Sequence, residues 1–278
     1  MTDNIGIERL CCFGAAPPVD FVRLAARLGC RFISIGLTAM SYYNPDSYPA
    51  WSLRSDPMLR REMLAAMSDT GVTPSLCEGF AIRPETDADA LVPDLDLAAE
   101  LKCRCINLGS AERDKSRAIA QFAAIAELAM QRGILVTAEI GMPPLVTLAA
   151  GLRLIDQVGH PNFRLLLDSM HFFRMGSALA DLAGHADAIG YVQLADAPCA
   201  NGTLPYMEEA LHERLPPGAG ELPLAELIPL LPAGVVMGVE VPQRSLASAR
   251  IGPDERVGGV VRTARALVNR TAGHVNAG

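Results

Sequence analysis

Short apolar runs alternate with longer segments of helical periodicity along the whole chain. The apolar runs predict eight strands, over residues 8–13, 31–37, 72–77, 104–108, 134–139, 163–168, 188–194 and 234–240. The helical pattern is clearest over residues 19–28, 58–70, 87–101, 113–132, 145–158, 222–231 and 253–269. Three of these helices end in a glycine that leads directly into the next strand, at Gly29, Gly71 and Gly133. That is typical of the turn from a helix into a strand.

Regular alternation of strand and helix predicts parallel strands joined by right-handed crossovers. Eight such units in 278 residues fit one (β/α)8 barrel of the TIM type. A dinucleotide-binding sheet would carry G-x-G-x-x-G after the first strand, and residues 12–18 (CFGAAPP) lack that motif. We therefore expect an α/β protein with a single TIM barrel over residues 1–270 and a flexible polar tail over residues 271–278. Its active site should lie at the C-terminal face of the strands.

Composition and charge narrow the partners and the compartment. Half of the residues are hydrophobic, yet no run reaches the roughly 18 uncharged apolar residues that a membrane span requires. The formal net charge of −7 without a basic cluster argues against a nucleic-acid partner. The seven cysteines are odd in number and contain no C-x-x-C pair, which argues against a disulfide framework. We expect a cytoplasmic protein without a membrane partner.

Side chains with metal-binding oxygens stand at or near the ends of four successive predicted strands. They are Glu139, Asp168, Gln193 and Glu240, on the fifth to eighth strands. Because neighbouring strands lie about 5 Å apart, these four ends can surround one ion. Carboxylates that face one another without a cation would repel and raise each other's pKa. An all-oxygen ligand set suits Mn²⁺, Mg²⁺ or Co²⁺ better than Zn²⁺, so we predict one such divalent cation.

Four segments in the second half of the chain carry a resemblance to a known family. They are residues 167–171 (LDSMH), 192–198 (VQLADAP), 214–222 (RLPPGAGEL) and 238–240 (GVE). Together they resemble the xylose-isomerase-like TIM-barrel superfamily, the sugar isomerase and epimerase group, over residues 130–245. The first 110 residues share only its strand–helix rhythm. The resemblance implies that the four strand-end residues bind the metal, that His171 contacts or deprotonates the substrate, and that Arg214 anchors it.

The seventh strand departs from the usual pattern of this superfamily. Most members have histidine at the ligand position where this chain has Gln193. Residues 193–198 (QLADAP) look like the bacterial 3-dehydroshikimate dehydratase branch, in which glutamine is the ligand. The second predicted strand ends in residues 35–37 (IGL) and lacks the acidic ending of that branch.

Isomerisation, epimerisation and β-elimination all begin by removing a proton next to a carbonyl. Glu139, Glu240 and His171 are the candidate bases. Our first hypothesis is a metal-dependent isomerase or epimerase of a sugar or related keto-polyol. A metal-dependent lyase of the dehydratase type is the alternative, and a non-catalytic polyol-binding barrel is the third.

Substrate contacts are expected at the same mouth of the barrel. Arg214 could pair with a substrate carboxylate or hydroxyl. Glu78 follows the third predicted strand and Asn107 lies at the end of the fourth, so both are candidate contacts. The expected partner is a small polyol or keto-acid, and a homo-oligomer is compatible with the sequence.

Overall fold

The structure has eight strands that pair in chain order, and the second to the eighth overlap the predicted segments. A computed structural model describes residues 4–40, 43–141, 143–200 and 204–275, with side chains to residue 271. The strands are β1 (Ile5–Ile7), β2 (Phe32–Gly36), β3 (Thr73–Ile82), β4 (Cys105–Ser110), β5 (Leu135–Ile140), β6 (Phe163–Asp168), β7 (Ile189–Leu194) and β8 (Met237–Val239). Each strand pairs in parallel with the next, and β8 pairs in parallel with β1. The sheet therefore closes into the predicted (β/α)8 barrel.

Helices connect the strands on the outside of the barrel. The structure has α1 (Pro18–Arg27), α2 (Pro57–Thr70), α3 (Val92–Glu100), α4 (Lys115–Met130), α5 (Leu148–Val158), α6 (Ser169–Arg174), α7 (Leu179–Leu182), α8 (Tyr206–His212), α9 (Leu224–Leu227), α10 (Arg244–Ser248) and α11 (Pro253–Val275). The sequence analysis missed α6, α7, α8 and α10, because helices of four to seven residues are too short to show a period. Among the described residues, no helix combines the length and apolarity that a bilayer span requires.

The first strand differs from the prediction. Residues 9–12 form a 3-10 turn, and the strand is the preceding segment Ile5–Ile7. The apolar segment Leu10–Phe13 is buried, but it does not pair with another strand. An apolar run of this length does not reveal whether it is buried as a strand or as a turn. The correction places Glu8 directly at the end of β1.

The last helix extends further than the sequence pattern indicates. Helix α11 runs to Val275 and includes the first five residues of the expected tail. Residues 276–278 of that expected tail lie outside the described part of the chain.

The core has two parts. The larger part consists of apolar side chains packed between the strands and the surrounding helices. A separate small cluster joins four strands, with Leu76 on β3, Cys105 on β4, Leu166 on β6 and Tyr191 on β7. Successive side chains of a strand point to opposite faces, so this cluster fills the inside of the barrel. Residues two positions further along these strands face the same interior at its C-terminal mouth.

Candidate active site

Five acidic or amide side chains converge at the C-terminal mouth because of strand register. Asp168 lies two residues after the interior Leu166, and Gln193 lies two residues after the interior Tyr191. Asp168 is the register partner of Gln193, which in turn pairs with Gly238, two residues before Glu240. All three polar side chains are buried. Glu8 follows β1 and Glu139 lies in β5, and both reach the same region.

Arg214 bridges two of these carboxylates. Its guanidinium lies 2.5 Å from Asp168 Oδ2 and 3.1 Å from Glu240 Oε2. The arginine is 3% exposed and Asp168 is fully buried. A buried charge requires a partner of opposite sign, and here one cation serves two anions. The structure therefore brings Arg214 into the predicted site, with its charge directed at the carboxylates.

The loop that follows β7 positions Arg214. The carboxylate of Asp196 accepts hydrogen bonds from the backbone nitrogens of Ala197, Gly218 and Leu222, which fold the loop back on itself. The backbone of Asp196 also pairs with Leu215 in an isolated bridge. Arg214 comes directly before that bridge, so this hydrogen-bonded loop places its side chain at the barrel mouth.

A second group of side chains surrounds Glu139. Asn107 donates a 3.0 Å hydrogen bond to Glu139 Oε2, and His171 Nε2 lies 3.5 Å from Glu139 Oε1. The other ring nitrogen of His171 is hydrogen-bonded to the Tyr206 hydroxyl. The His171 backbone nitrogen donates to Asp168 Oδ1 at 2.9 Å. His171 is thus held on three sides, with Nε2 directed at Glu139.

Gly141 allows this close packing of His171. A side chain at position 141 would bring a Cβ within 2.2 Å of the His171 Cβ, and the residue has a φ of +108°. Both the contact and the backbone conformation require glycine.

Gln193 lies among carboxylates, but its amide nitrogen faces them. Nε2 lies 3.0 Å from Glu240 Oε1, 3.3 Å from Glu78 Oε1 and 3.5 Å from Glu8 Oε2. Its Oε1 is buried and has no hydrogen-bond partner among the described residues. The amide orientation follows from its surroundings, because three carboxylates attract the donor end.

The charges shift the acid–base behaviour of the site in two directions. Burial raises the pKa of the Glu78, Glu139 and Glu240 carboxyl groups. Burial and the nearby Glu78 raise the pKa of Glu8 to about 8. Asp168 is the exception: burial opposes ionisation, but the charges of Arg214 and His171 outweigh it and hold the pKa of Asp168 at about 2. The mouth therefore contains more carboxylates than its cations can neutralise.

Two groups of these side chains could hold a cation. In one, ligand atoms of Glu139, Asp168 and His171 all lie within 4.8 Å of one another. In the other, the same holds for the three glutamates at positions 8, 78 and 240. The excess negative charge and the unpartnered Gln193 Oε1 both fit a divalent cation. The grouping differs from the four-residue set that strand ends suggested, because Arg214 lies between Asp168 and Glu240.

The first group changes the expected metal chemistry. It adds the imidazole nitrogen of His171 to two carboxylates, whereas the sequence analysis assumed oxygen ligands only. Imidazole suits Zn²⁺ as well as Mn²⁺ or Co²⁺. Zn²⁺ is therefore as compatible with this group as Mn²⁺ or Co²⁺.

A cavity of about 450 Å³ opens above these side chains. All the predicted catalytic and substrate-binding residues contribute to its wall, namely Glu78, Asn107, Glu139, His171, Arg214 and Glu240. Its volume is in the range of small-molecule sites, about 300–1,000 Å³. The structure thus brings these six residues to one cavity, whereas Asp168 and Gln193 are buried in contact with Arg214 and Glu240.

Sequence reasoning missed Glu8, Tyr206 and Arg9. Glu8 carries the same signal as the other strand-end residues, an acidic side chain after an apolar strand, but the first strand was placed too late. Tyr206 lies on the unpredicted helix α8. Arg9 also lines the cavity and donates hydrogen bonds to the backbone oxygens of Gly14 and Thr38. No local pattern marks these last two residues.

The sequence itself decides the family. The model of the family described as xylose isomerase-like TIM barrel matches residues 22–266. The chain belongs to the xylose isomerase-like TIM barrel family. The predicted resemblance and the predicted fold are both confirmed. A comparison with curated proteins finds no match to this chain.

Solved structures share the fold over nearly the whole chain. The IolI protein, solved with a bound zinc atom, is 14% identical with a TM-score of 0.78, and the match covers 96% of this chain and 98% of IolI. D-psicose 3-epimerase from Clostridium cellulolyticum H10, solved with D-tagatose, is 14% identical with a TM-score of 0.69, covering 95% and 99%. The probable 3-DHS dehydratase AsbF from Bacillus anthracis is 14% identical with a TM-score of 0.71, covering 94% and 98%. At such identities the likeness concerns the fold, and proteins of this fold include an epimerase and a probable dehydratase.

Proposed function

We propose that this protein is a divalent-metal-dependent isomerase or epimerase of a sugar or related keto-polyol. It would act by removing the proton next to the substrate carbonyl. The observation that carries the proposal is the convergence of Glu139, His171, Arg214 and Glu240 around one cavity at the barrel mouth, with Asp168 buried against Arg214. Each of these side chains can bind a cation, move a proton or hold an anionic oxygen.

The residues that would hold the cation are Glu139, Asp168 and His171, with Glu240 and Gln193 beside them. A divalent cation bound there would act as a Lewis acid that polarises the carbonyl, and Mn²⁺, Mg²⁺, Co²⁺ and Zn²⁺ all fit these ligand types.

The carboxylates supply the base. Glu139 and Glu240 line the cavity, and burial raises the pKa of both. A carboxylate with a raised pKa is a stronger base, and proton removal is most efficient when that pKa approaches the working pH. An epimerase or isomerase must also return the proton. Glu139 and Glu240 would divide these two roles, one removing the proton and the other returning it, because the free ring nitrogen of His171 is among the atoms that would hold the cation.

Arg214 and the neutral polar groups orient the substrate. Arg214 is buried and fixed by a 2.6 Å hydrogen bond from Nε to the Ala210 oxygen, so its position does not depend on the ligand. Asn107 Oδ1 is buried without a hydrogen-bond partner among the described residues. A substrate hydroxyl would satisfy this acceptor, which favours a polyol. A keto-acid would instead present its carboxylate to Arg214.

One feature favours the lyase alternative. Gln193 and the residues after it look like the dehydratase branch. Elimination uses the same first step, followed by loss of a hydroxyl group as water. The second glutamate of the cavity wall could protonate that leaving group.

The experiment combines metal removal, one substitution and an isotope readout. Purified protein is treated with a chelator and then given Mn²⁺, Mg²⁺, Co²⁺ or Zn²⁺, with a panel of ketoses and keto-acids in D₂O. We expect activity only with metal, and its loss in Glu240→Gln with the fold intact. Glu226→Gln is the matched control, because Glu226 is exposed on α9.

The outcomes separate the candidate functions. Deuterium entering an otherwise intact sugar supports an isomerase or epimerase. A new conjugated alkene supports the lyase. Unchanged rates in chelator would disprove metal dependence, full activity of Glu240→Gln would remove Glu240 from the site, and inertness across the panel would favour a binding role.

A further inference from the structure

A second cavity, of about 660 Å³, adjoins the candidate active site. It lies between α4 and α5, at the ends of β4 and β5. Asn107 and Glu139 belong to the walls of both cavities, so the two spaces meet at these side chains. A small ketose fits the first cavity alone, because about 450 Å³ is already a small-molecule site. The second cavity therefore needs a separate explanation.

The inner wall of this second cavity is apolar. Phe122, Leu145 and Leu154 are buried there, and Ile119 is half-buried. These side chains lie on α4, on α5 and in the loop between β5 and α5. Binding hydrocarbon against such a wall is favourable because it removes apolar surface from water. A sugar offers little hydrocarbon to bind there.

The outer wall carries positive charge. Arg113, Lys115 and Arg153 line the cavity and are exposed. Within the described residues, none of the three side chains has an acidic partner at ion-pair distance. Of the two acidic residues in the wall, Glu139 lies where the two cavities meet, and Glu112 is already paired with Arg117 and accepts hydrogen bonds from two backbone nitrogens. Three cations without an acidic partner among the described residues therefore lie at this one cavity.

We propose that this cavity is a second binding subsite, which takes an apolar arm ending in a carboxylate or phosphate. The apolar wall would cover the arm, and the three cations would bind its charged end. Assigning this arm to the substrate rests on the proposed function. On that basis the reacting end of the substrate lies over Glu139, and its arm reaches past Asn107 into the second cavity.

A pair of matched probes tests the subsite without turnover. 4-Phenylbutyrate has the arm and the charge, and 4-phenylbutan-1-ol has the same arm without the charge. Dissociation constants are measured by ligand-observed NMR titration of the whole protein. We expect the acid to bind about ten-fold more tightly than the alcohol, and the Arg113→Ala/Arg153→Ala double variant to lose that preference.

Arg104→Ala is the matched control, because Arg104 is exposed and precedes β4 at the opposite end of the barrel. It should retain the preference. Equal binding of both probes to the native protein, no binding of either, or an unchanged preference in the double variant would overturn the proposal.

Failure of the proposed function would look different. Glu240→Gln lacks a catalytic carboxylate but retains the second cavity, so it should still prefer the acid. A protein that turns over no ketose yet shows the charge preference would reject the proposed function and leave the subsite standing.

Discussion

Replacing Arg214 by methionine is the sharpest test of the electrostatics of this site. The substitution keeps a long flexible side chain and removes the charge that lies between Asp168 and Glu240. In the folded protein both carboxylates are buried, and Arg214 is their shared partner at 2.5 Å and 3.1 Å. The variant leaves these anions with no arginine between them.

The size of the effect follows from burial. Removing one partner of a buried ion pair costs about 3–5 kcal/mol in unfolding free energy. At about 2–4 °C per kcal/mol, that lowers the Tm of a chain of this size by roughly 6–20 °C. The loss should depend on pH. The depressed pKa of Asp168 in the folded state, about 2 against 3.8, stabilises the native protein above pH 3.8, and this contribution is lost as the pH falls through 2. Without Arg214 the contribution disappears, so the deficit is largest near neutral pH and shrinks on acidification.

Urea unfolding followed by circular dichroism measures the loss, with chelator present so that no cation replaces the arginine. Arg27→Met is the matched control: the Arg27–Asp254 pair has 55% of each side chain exposed. An exposed pair contributes at most about 1 kcal/mol. The proposed electrostatics are refuted if Arg214→Met loses no more stability than Arg27→Met, or if its deficit is equal at pH 7 and pH 2.

Two further predictions concern the neighbours of the site. Glu8→Gln should flatten the pH dependence of stability in chelator. The pKa of Glu8 is about 8 in the folded protein against 4.5 in the unfolded chain. The free energy of unfolding therefore falls as the pH rises from 4.5 to 8, by up to about 1.4 kcal/mol per pH unit. Urea unfolding from pH 5 to pH 8 measures the slope, and a slope equal to that of native protein would show that Glu8 does not titrate there. Tyr206→Phe should lower kcat about ten-fold and alter its pH profile, because His171 loses the hydroxyl that fixes its ring. Tyr43→Phe, whose hydroxyl contacts Ser248, is the control; equal kcat in both variants would exclude a positioning role.

The sequence by itself determined the barrel and most of its strand ends. Alternation of apolar runs with helical periods is a local property, and it predicted eight strands in the order in which they pair. The side chains of Glu139, Asp168 and Glu240 could be found because each follows an apolar run. The same logic failed for Glu8, since the apolar segment 10–13 after it is buried as a turn and was read as the strand.

Only the tertiary structure decided how these groups meet. Arg214 lies 46 residues from Asp168, and the Tyr191 hydroxyl donates to Glu8 across 183 residues. Such contacts depend on closing the barrel and on the fold of the loop after β7, neither of which has a periodic signal. The orientation of Gln193 likewise depends on three carboxylates that come from β1, β3 and β8. Local patterns indicate which side chains stand at strand ends, and barrel closure decides which of them pair with the same charged partner, as Asp168 and Glu240 do with Arg214.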